Sequence, residues 1–388
     1  MSQFLDSDSA NLPLQRHLFE IPDGVVYLNC ANLSPQLRSV TAAGLNSVAA
    51  KRSPWEITAP DWFSGAEALR ELAAKVVGTS AESIALVPSV SYGIAVAAAN
   101  VPVGRGQSIV LLHEEYPSNY YAWRELARRE GADIRIVRRA NDGTWTRAVV
   151  EAIDDRTAVV SVPNCHWTDG SLIDLEKVGE RVRVVGAALV IDASQSLGAY
   201  PLDIRKVQPD FLVSVGYKWL MGPYALGYLY AAPKWQAGGR PIENSWLSRA
   251  GSENFARLVD YRDEFRTGAR RFDMGEFPNF ALVPMAIAAL QQILEWKVEN
   301  IRQTLSALTG LIAAEAAKLG CTSLPARDRV DHMIGVRLPN GIPAGLGERL
   351  AEAKVFVSIR GDAMRIAPHL YNDGSDIEKF FAVLRKLI

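Results

Sequence analysis

A lysine and an aspartate in the middle of the chain each follow a short apolar run. Residues 187–191 are followed directly by Asp192, and residues 211–215 are followed by Gly216, Tyr217 and then Lys218. Because open α/β sheets present functional groups at the carboxyl ends of their strands, we expect both charges at one edge of a buried sheet. A charged side chain in such a place needs a partner or a ligand.

These two residue types suit the chemistry of pyridoxal phosphate (PLP). Its aldehyde forms a Schiff base with a lysine amine, and an acid facing its ring nitrogen keeps that nitrogen protonated, so that the ring accepts electrons from a substrate carbanion. Lys218 and Asp192 fit these catalytic and cofactor-binding roles. Two alternatives stay open here: the pair forms a buried salt bridge, or Lys218 extends from a strand end to solvent.

The elements that must position this pair alternate between apolar runs and amphipathic stretches. Strands are predicted at residues 84–88, 107–115, 132–138, 157–163, 187–191, 211–215 and 225–232. Helices are predicted at 36–52, 63–77, 94–100, 145–154 and 174–183, with one more ending near 129. Alternating strands and helices at this spacing predict a parallel, doubly wound sheet.

The remaining segments predict a second, smaller domain. A long helix over about 282–319, either continuous or with a break, is expected to cross from the large to the small domain. It leads into strands near 333–338, 356–360 and 364–367, a helix over 346–354 and a closing helix from 376. We therefore predict a large domain over residues 36–284. Residues 1–35, with a short strand at 25–29, and residues 285–388 form the small domain.

Composition excludes several function classes. The 388 residues carry 42 basic and 43 acidic side chains, which gives no reason to expect a nucleic acid partner. No apolar run reaches the roughly 20 residues of a membrane span, and the N-terminal residues do not read as a secretion signal. Three scattered cysteines predict a reducing, cytoplasmic setting without a structural metal site. No Gly-x-Gly-x-x-Gly turn supports a dinucleotide-binding enzyme.

Around the pair, the chain resembles the class V aminotransferase family, which includes cysteine desulfurases, kynureninases and isopenicillin N epimerase-like enzymes. Residues 192–204 (DASQSLGAYPLDI) and 214–230 (SVGYKWLMGPYALGYLY) follow the family pattern D-x-x-Q, then K-W/L-x-G-P-x-G. The resemblance implies that Lys218 carries the Schiff base, that Gln195 hydrogen-bonds the ring hydroxyl and that Tyr217 binds the phosphate.

It also implies an aspartate aminotransferase-like PLP-dependent transferase of fold type I. The expected fold class is α/β, with a large, mostly parallel, seven-stranded sheet domain and a smaller α+β domain. In that fold Asp192 faces the pyridine nitrogen.

Two further segments are expected to hold the cofactor. A small-residue turn between a strand and a helix forms an anion site, which assigns Ser89, Val90 and Ser91 to the phosphate; an ordinary serine N-cap is the alternative. Family members carry G-T-T-E or S-x-T/S at this point. The segment E-Y-P-S-N resembles the one whose aromatic residue lies on the cofactor ring, which implies that Tyr116 stacks there.

Substrate contacts are expected from four residues. Residues 357–372 resemble the family's V-x-x-R-G-x-x-x-R motif, which implies that Arg365 binds the substrate α-carboxylate through its planar fork. Arg360 is a lesser candidate, with a surface arginine on a strand as the alternative. Asn32 lies in a segment that lines the active-site mouth in relatives, although a turn-stabilising asparagine fits equally. Residues 164–170 depart from the family's S-H-x-x-N-x-x-G; His166 and Trp167 are placed there as substrate-site candidates, with a structural histidine as the alternative.

Residues 270–279 match the family loop R-F/Y-x-x-G-T/E-x-N, which in relatives reaches across a dimer interface. The resemblance therefore implies a homodimer with this loop at the interface. The usual threonine is replaced by Glu276-Phe277, and a carboxylate would be repelled by a phosphate. We expect the location, rather than the phosphate contact, to be retained.

Together these residues predict an enzyme that binds an amino acid through an external aldimine, with the freed Lys218 amine removing the α-proton. Transamination is favoured because it needs no group beyond those that form the external aldimine and remove the α-proton. A Cβ-eliminating lyase (kynureninase-like or C–S lyase) and an epimerase are the alternatives. No cysteine lies between Val357 and Arg365, which disfavours a persulfide-forming desulfurase. A PLP-fold regulator or scaffold is disfavoured by the intact site residues.

Overall fold

The structure is a computed structural model that describes residues 11–140 and 144–388. The strands are β1 (Val26–Tyr27), β2 (Ile84–Val87), β3 (Ser108–Leu112), β4 (Asp133–Val137), β5 (Thr157–Pro163), β6 (Ala188–Asp192), β7 (Phe211–Val215), β8 (Gly227–Ala231), β9 (Ile334–Val336), β10 (Val355–Phe356), β11 (Ser358–Arg360) and β12 (Ala363–Ile366).

The helices are α1 (Arg38–Ala50), α2 (Asp61–Val77), α3 (Val90–Asn100), α4 (Tyr121–Glu130), α5 (Trp145–Ala152), α6 (Leu175–Val185), α7 (Ile204–Val207), α8 (Pro233–Gly238), α9 (Leu282–Trp296), α10 (Val298–Lys318), α11 (Leu346–Glu352) and α12 (Gly374–Leu387).

Within the described residues, a seven-stranded sheet forms the centre of the large domain, in the order β2-β8-β7-β6-β5-β3-β4. Strands β3 to β7 run parallel, whereas β8 pairs antiparallel with both β7 and β2. The expected mostly parallel, doubly wound sheet is confirmed. The strand predicted last along the chain, β8, lies inside the sheet, because the segment after Lys218 turns back beside β7.

Helices cover both faces of this sheet, which explains its continuous apolar strands. On one face α2, α5, α6 and α9 bury side chains such as Leu69, Val149 and Val178. On the other face α3 and α4 bury Ile94, Trp123 and neighbouring residues. The helices pack on the two faces, so functional groups can be placed at the carboxyl ends of β6 and β7.

The small domain is built on the antiparallel sheet β11-β12-β9 and the parallel pair β1-β10. Helices α10, α11 and α12 pack around it through residues such as Ile312, Leu350 and Phe380. The predicted long helix is divided into α9 and α10 at Lys297, whose φ is 63°. Strand β1 joins the C-terminal part, as the predicted domain division requires; the boundaries themselves stay predictions.

Among the described helices, none combines the length and the apolar character that crossing a membrane requires.

Candidate active site

Lys218 and Asp192 come together at the carboxyl ends of neighbouring strands. Asp192 is the last residue of β6 and is paired in register with Val213 of β7, which leads to Lys218. The exposed fraction is 5% for Asp192 and 7% for Lys218. No ion pair within 4.0 Å joins these two residues. The alternative of a direct salt bridge is therefore wrong, and so is a lysine that extends to solvent.

The two charges nevertheless affect each other. Burial lowers the pKa of the Lys218 amine to about 8, against the opposing effect of Asp192. Burial raises the pKa of Asp192, while Lys218 and a hydrogen bond from the Ser194 N–H (3.0 Å) lower it. A buried amine with a depressed pKa and a carboxylate near it are the groups that aldehyde and pyridine chemistry requires.

Gln195 lies beside the pair with its amide partly engaged by the protein. Its Nε2 donates to the carbonyl oxygen of Ala31 (2.9 Å), and its Oε1 accepts from Nε1 of Trp219 (3.0 Å). An amide nitrogen carries two hydrogens, so one donor remains for a ligand. The expected bond from Gln195 to a ring hydroxyl stays a prediction.

Two aromatic residues form a wall next to Lys218. Its Nζ lies 5.4 Å from the centroid of the Tyr116 ring. Tyr116 and Trp167 pack edge to face, with centroids 5.6 Å apart at 74°. Nε1 of Trp167 donates to the carbonyl oxygen of Glu114 (2.7 Å), which fixes the indole. Tyr116 is therefore placed where a planar ring bound by Lys218 could stack.

The N-terminus of α3 faces the same end of the sheet. Ser89 is its N-cap, with Oγ accepting from the Tyr92 N–H (3.2 Å) and lying 2.9 Å from Oγ of Ser91. The first-turn N–H groups of Val90 and Ser91 have no intrahelical acceptor. The helix approaches β7 so closely that a Cβ on Gly93 would lie 2.5 Å from Cγ2 of Val213. The three residues thus lie at the start of α3, and the ordinary serine N-cap is present. Their contact with a phosphate stays a prediction.

Tyr217 is fixed between this helix and the N-terminal segment. Its carbonyl oxygen accepts from the N–H (3.0 Å) and Oγ (3.1 Å) of Ser34. Its ring lies 4.5 Å from that of Tyr224 and 5.9 Å from Nζ of Lys218. Gly216, directly before it, is required because a Cβ there would lie 2.6 Å from the carbonyl oxygen of Leu226.

Arg365 brings a buried cation from the small domain. Its Nη1 donates to the carbonyl oxygen of Trp167 (2.8 Å), and its Nη2 donates to Oγ of Ser358 (3.5 Å). It is 2% exposed, its Nε lacks a partner, and it forms no ion pair with any described residue. Burial, with Arg360 nearby, lowers its pKa to about 9. Such a guanidinium needs an anionic ligand.

The surroundings of His166 and Asn32 give less support to their predicted role in substrate binding. Both ring nitrogens of His166 lie within hydrogen-bond distance of protein atoms, Oγ1 of Thr168 (2.7 Å) and the carbonyl oxygen of His113 (3.2 Å). Its ring stacks on Trp145 at 5.1 Å. This arrangement favours the structural-histidine alternative. Asn32 lies exposed in a turn, with its N–H donating to the carbonyl oxygen of Asn29 (3.0 Å).

Several buried groups near the site were missed by sequence reasoning. Glu115 has an unpartnered Oε2, and burial with a contribution from Asp192 raises its pKa to about 8. His332 and His369 lie behind Trp219, with ring centroids 4.4 and 6.0 Å from it. Glu115 stood in a recognised motif directly before Tyr116, whereas isolated histidines give no signal in a sequence.

The loop at 270–279 is largely buried within its own subunit. Arg270 is paired with Glu67 and Glu82, and both carboxylate oxygens of Asp273 accept from Arg70 (2.9 Å each). Glu276 is exposed at the tip.

The fold and site define a PLP-dependent enzyme of fold type I, because the parallel sheet delivers a buried lysine, a carboxylate, an aromatic wall and an anion site to one edge. The model of the family "Aminotransferase class-V" matches residues 57–378. The chain therefore belongs to the class-V aminotransferase family, and its cofactor is pyridoxal phosphate.

Individual relatives carry different activities in their names. An uncharacterised aminotransferase, YcbU of Bacillus subtilis, is 27% identical over 302 residues, or 77% of each chain. Isopenicillin N epimerase of Streptomyces clavuligerus is 24% identical over 331 residues, covering 82% of this chain and 83% of the relative.

Solved structures share the fold at low identity. The apo cysteine desulfurase of Thermococcus onnurineus has a TM-score of 0.80 at 19% identity, covering 98% of this chain and 99% of that one. A C-DES mutant with glycine covalently linked to its PLP cofactor has a TM-score of 0.85 at 18% identity, covering 95% and 98%.

Proposed function

We propose that this protein is an aminotransferase that acts on an α-amino acid. One observation carries the proposal: the buried amine of Lys218 and the buried guanidinium of Arg365 meet the same Tyr116–Trp167 pair, and neither forms an ion pair with a described residue. The first group suits a cofactor aldehyde, and the second suits a carboxylate. An amino acid presents its amine and its carboxylate on one carbon.

When bound, PLP supplies an aldehyde that links covalently to amines and a ring that accepts electrons. Asp192 would keep the proton on the ring nitrogen, and its burial without an ion-pair partner suits that contact. Tyr116 would cover the ring, and Gln195 would offer its remaining amide hydrogen to the ring hydroxyl. The N–H groups of Val90 and Ser91, with the hydroxyls of Ser89, Ser91 and Tyr217, would hold the phosphate.

The chain's own residues then perform the proton transfer. Arg365 binds the α-carboxylate and thereby orients the Cα–H bond. Lys218, with a pKa of about 8, takes the α-proton on Nζ and can return it at another position, because its pKa lies close to neutral pH. Trp167 limits the space for the substrate side chain. Asn32 lies at the mouth, and His166 supports the loop.

Transamination is preferred to the persulfide route on the evidence of the cysteines. Strands β11 and β12 are joined by a tight turn at Gly361-Asp362, which holds no cysteine. Cys30, Cys165 and Cys321 are buried, and burial raises the pKa of each thiol. A buried, protonated thiol is a poor nucleophile. Elimination and epimerisation need no such group and are the competing reactions.

The proposal is tested by offering the holoenzyme a panel of amino acids while recording its visible spectrum and analysing products. A transaminase converts bound cofactor to pyridoxamine phosphate with an equivalent of 2-oxo acid. Release of pyruvate or alanine indicates a lyase, and exchange of the α-hydrogen with inversion indicates an epimerase. Lys218→Ala should lose the colour that borohydride reduction shifts, whereas Lys206→Ala, at a 63% exposed side chain, should keep it.

We further propose a homodimer in the cytoplasm. Trp62 contacts three partly exposed aromatic residues, Trp246, Phe255 and Phe280, at centroid distances of 5.2–5.8 Å. Large apolar surface of this kind is typical of an interface, and the Glu276 tip lies on the same segment as Phe280. Three free cysteines suit a reducing compartment. Sedimentation of the purified holoenzyme tests the dimer.

A further inference from the structure

Two arginines lie on one face of the β11–β12 hairpin. The register pairs Ser358 with Arg365 and Arg360 with Ala363. Because side chains alternate along a strand and directly paired residues share a face, these four residues all point to the same side. Arg360 therefore lies on the same side as the buried Arg365.

Both guanidinium groups meet Trp167 next to Lys218. The Arg360 Cζ lies 5.8 Å from the centroid of the Trp167 ring, and Arg365 donates to the carbonyl oxygen of the same residue. Both arginines lower the pKa of Lys218, so both lie within electrostatic reach of its amine. Arg360 is thus part of the site, rather than a surface arginine on an exposed strand.

The described residues leave this positive charge uncompensated. Neither Arg360 nor Arg365 forms an ion pair within 4.0 Å, whereas Arg337 on the neighbouring strand β9 is paired with Asp169 and Asp362. Arg360 donates only to the carbonyl oxygen of Ile359 (2.8 Å) among the bonds of its side chain that the structure records. Two unpaired guanidinium groups at one substrate pocket can bind two anionic groups.

We propose that the substrate is an amino acid with an acidic side chain, such as L-aspartate or L-glutamate, and that Arg360 binds the side-chain carboxylate while Arg365 binds the α-carboxylate. This assignment rests on the proposed function. The Trp167 ring, which lies beneath the Arg360 guanidinium, offers an apolar surface to the substrate's methylene groups. No proton or electron transfer is added by this contact.

Binding is measured first, by titrating succinate and butyrate into the holoenzyme in a calorimeter. These acids differ in the second carboxylate. We expect succinate to bind at least about tenfold more tightly, and Arg360→Ala to abolish that difference. Arg360→Lys, which keeps the charge without the fork, should restore part of it. Equal binding of the two acids to the unaltered protein overturns the assignment.

Steady-state kinetics then separate the two arginines. In Arg360→Ala, the KM for L-aspartate or L-glutamate should rise at least about tenfold, while that for L-alanine stays within about twofold. In Arg365→Ala, the KM should rise for every amino acid. If KM rises equally for L-alanine and L-aspartate in Arg360→Ala, the proposal is overturned, because Arg360 then contributes to binding the α-carboxylate.

These measurements separate the choice of substrate from the type of reaction. A preference for succinate that depends on Arg360 supports the acidic-substrate assignment even if the reaction is elimination or epimerisation. Absence of transamination across the whole panel contradicts the proposed function alone.

Discussion

The carbonyl oxygen of Trp167 accepts a 2.8 Å hydrogen bond from Nη1 of Arg365 and so joins the loop after β5 to strand β12. The same loop is fastened to the small domain by the hydrogen bond from the Gly335 N–H to the carbonyl oxygen of Asp169 (3.0 Å). The Arg365 guanidinium and the aromatic wall are therefore held together by hydrogen bonds between the loop after β5 and the sheet β11-β12-β9.

Replacing Trp167 tests the aromatic wall. Trp167→Ala removes the ring that contacts Tyr116 and Arg360, and we expect the KM for the amino acid substrate to rise about tenfold or more. Trp167→Phe loses the bond to the Glu114 carbonyl but keeps a ring, so its KM should stay within about threefold. An unchanged KM in Trp167→Ala would show that this residue does not border the substrate.

The depressed pKa of Lys218 predicts unusual reactivity in the cofactor-free protein. With a pKa of about 8, roughly a tenth of its amine is neutral at pH 7. The rate of chromophore formation with added PLP should rise with pH and reach half its maximum near pH 8, because only the neutral amine attacks the aldehyde. A midpoint near 10.5, the pKa of an ordinary lysine, would contradict the burial argument.

Gly93 is predicted to control the position of the phosphate site. In Gly93→Ala, the new Cβ would lie 2.5 Å from Cγ2 of Val213 and push the start of α3 away from β7. We expect about 1–3 kcal/mol lower free energy of unfolding and weaker PLP affinity. Val213→Ala in the same chain removes the 2.5 Å contact and leaves the Cβ of residue 213 at 3.0 Å, so it should recover part of the PLP affinity. Urea denaturation and fluorescence titration measure the two effects, and an unaffected single variant falsifies this explanation.

The buried histidines predict loss of stability in acid. Burial lowers the pKa of His332 to about 4 and that of His369 to about 3, below their usual value near 6.5. As the pH falls below 6.5, the unfolded chain binds protons that the folded chain does not. The free energy of unfolding should therefore decline between about pH 6.5 and 4, by on the order of 2 kcal/mol for each histidine at pH 5.

A variant isolates the contribution of His369. His369→Phe keeps the ring among Trp219, Trp296 and Tyr371 but removes the titrating group, so urea denaturation should show a shallower decline with pH than in the unaltered protein. The same change at the exposed His17 is the matched control. A decline of equal steepness in His369→Phe would place the acid sensitivity elsewhere.

Much of the fold and part of the site follow from the sequence alone. The apolar runs before Asp192 and Lys218 determine two buried strands, and the parallel rule places their ends together, because local period and strand direction are properties of short segments. Tyr116, Gln195 and Arg365 were named for a different reason, because the short motifs around them resemble those of the family, and their roles stay predictions. A break in the long helix was allowed for, but its position at Lys297 was not predicted, since a lysine with positive φ gives no compositional signal.

Tertiary structure alone decided the contacts between distant segments. It placed β8 inside the sheet, put Arg360 on the face of Arg365 and engaged both nitrogens of His166 in protein contacts. It also holds Lys218 and Asp192 too far apart to form a direct salt bridge. Distance, register and burial arise only when remote segments pack, and they set which charges find partners. The sequence by itself determined which chemical groups this protein carries, and the folded structure decided which of them remain free to bind.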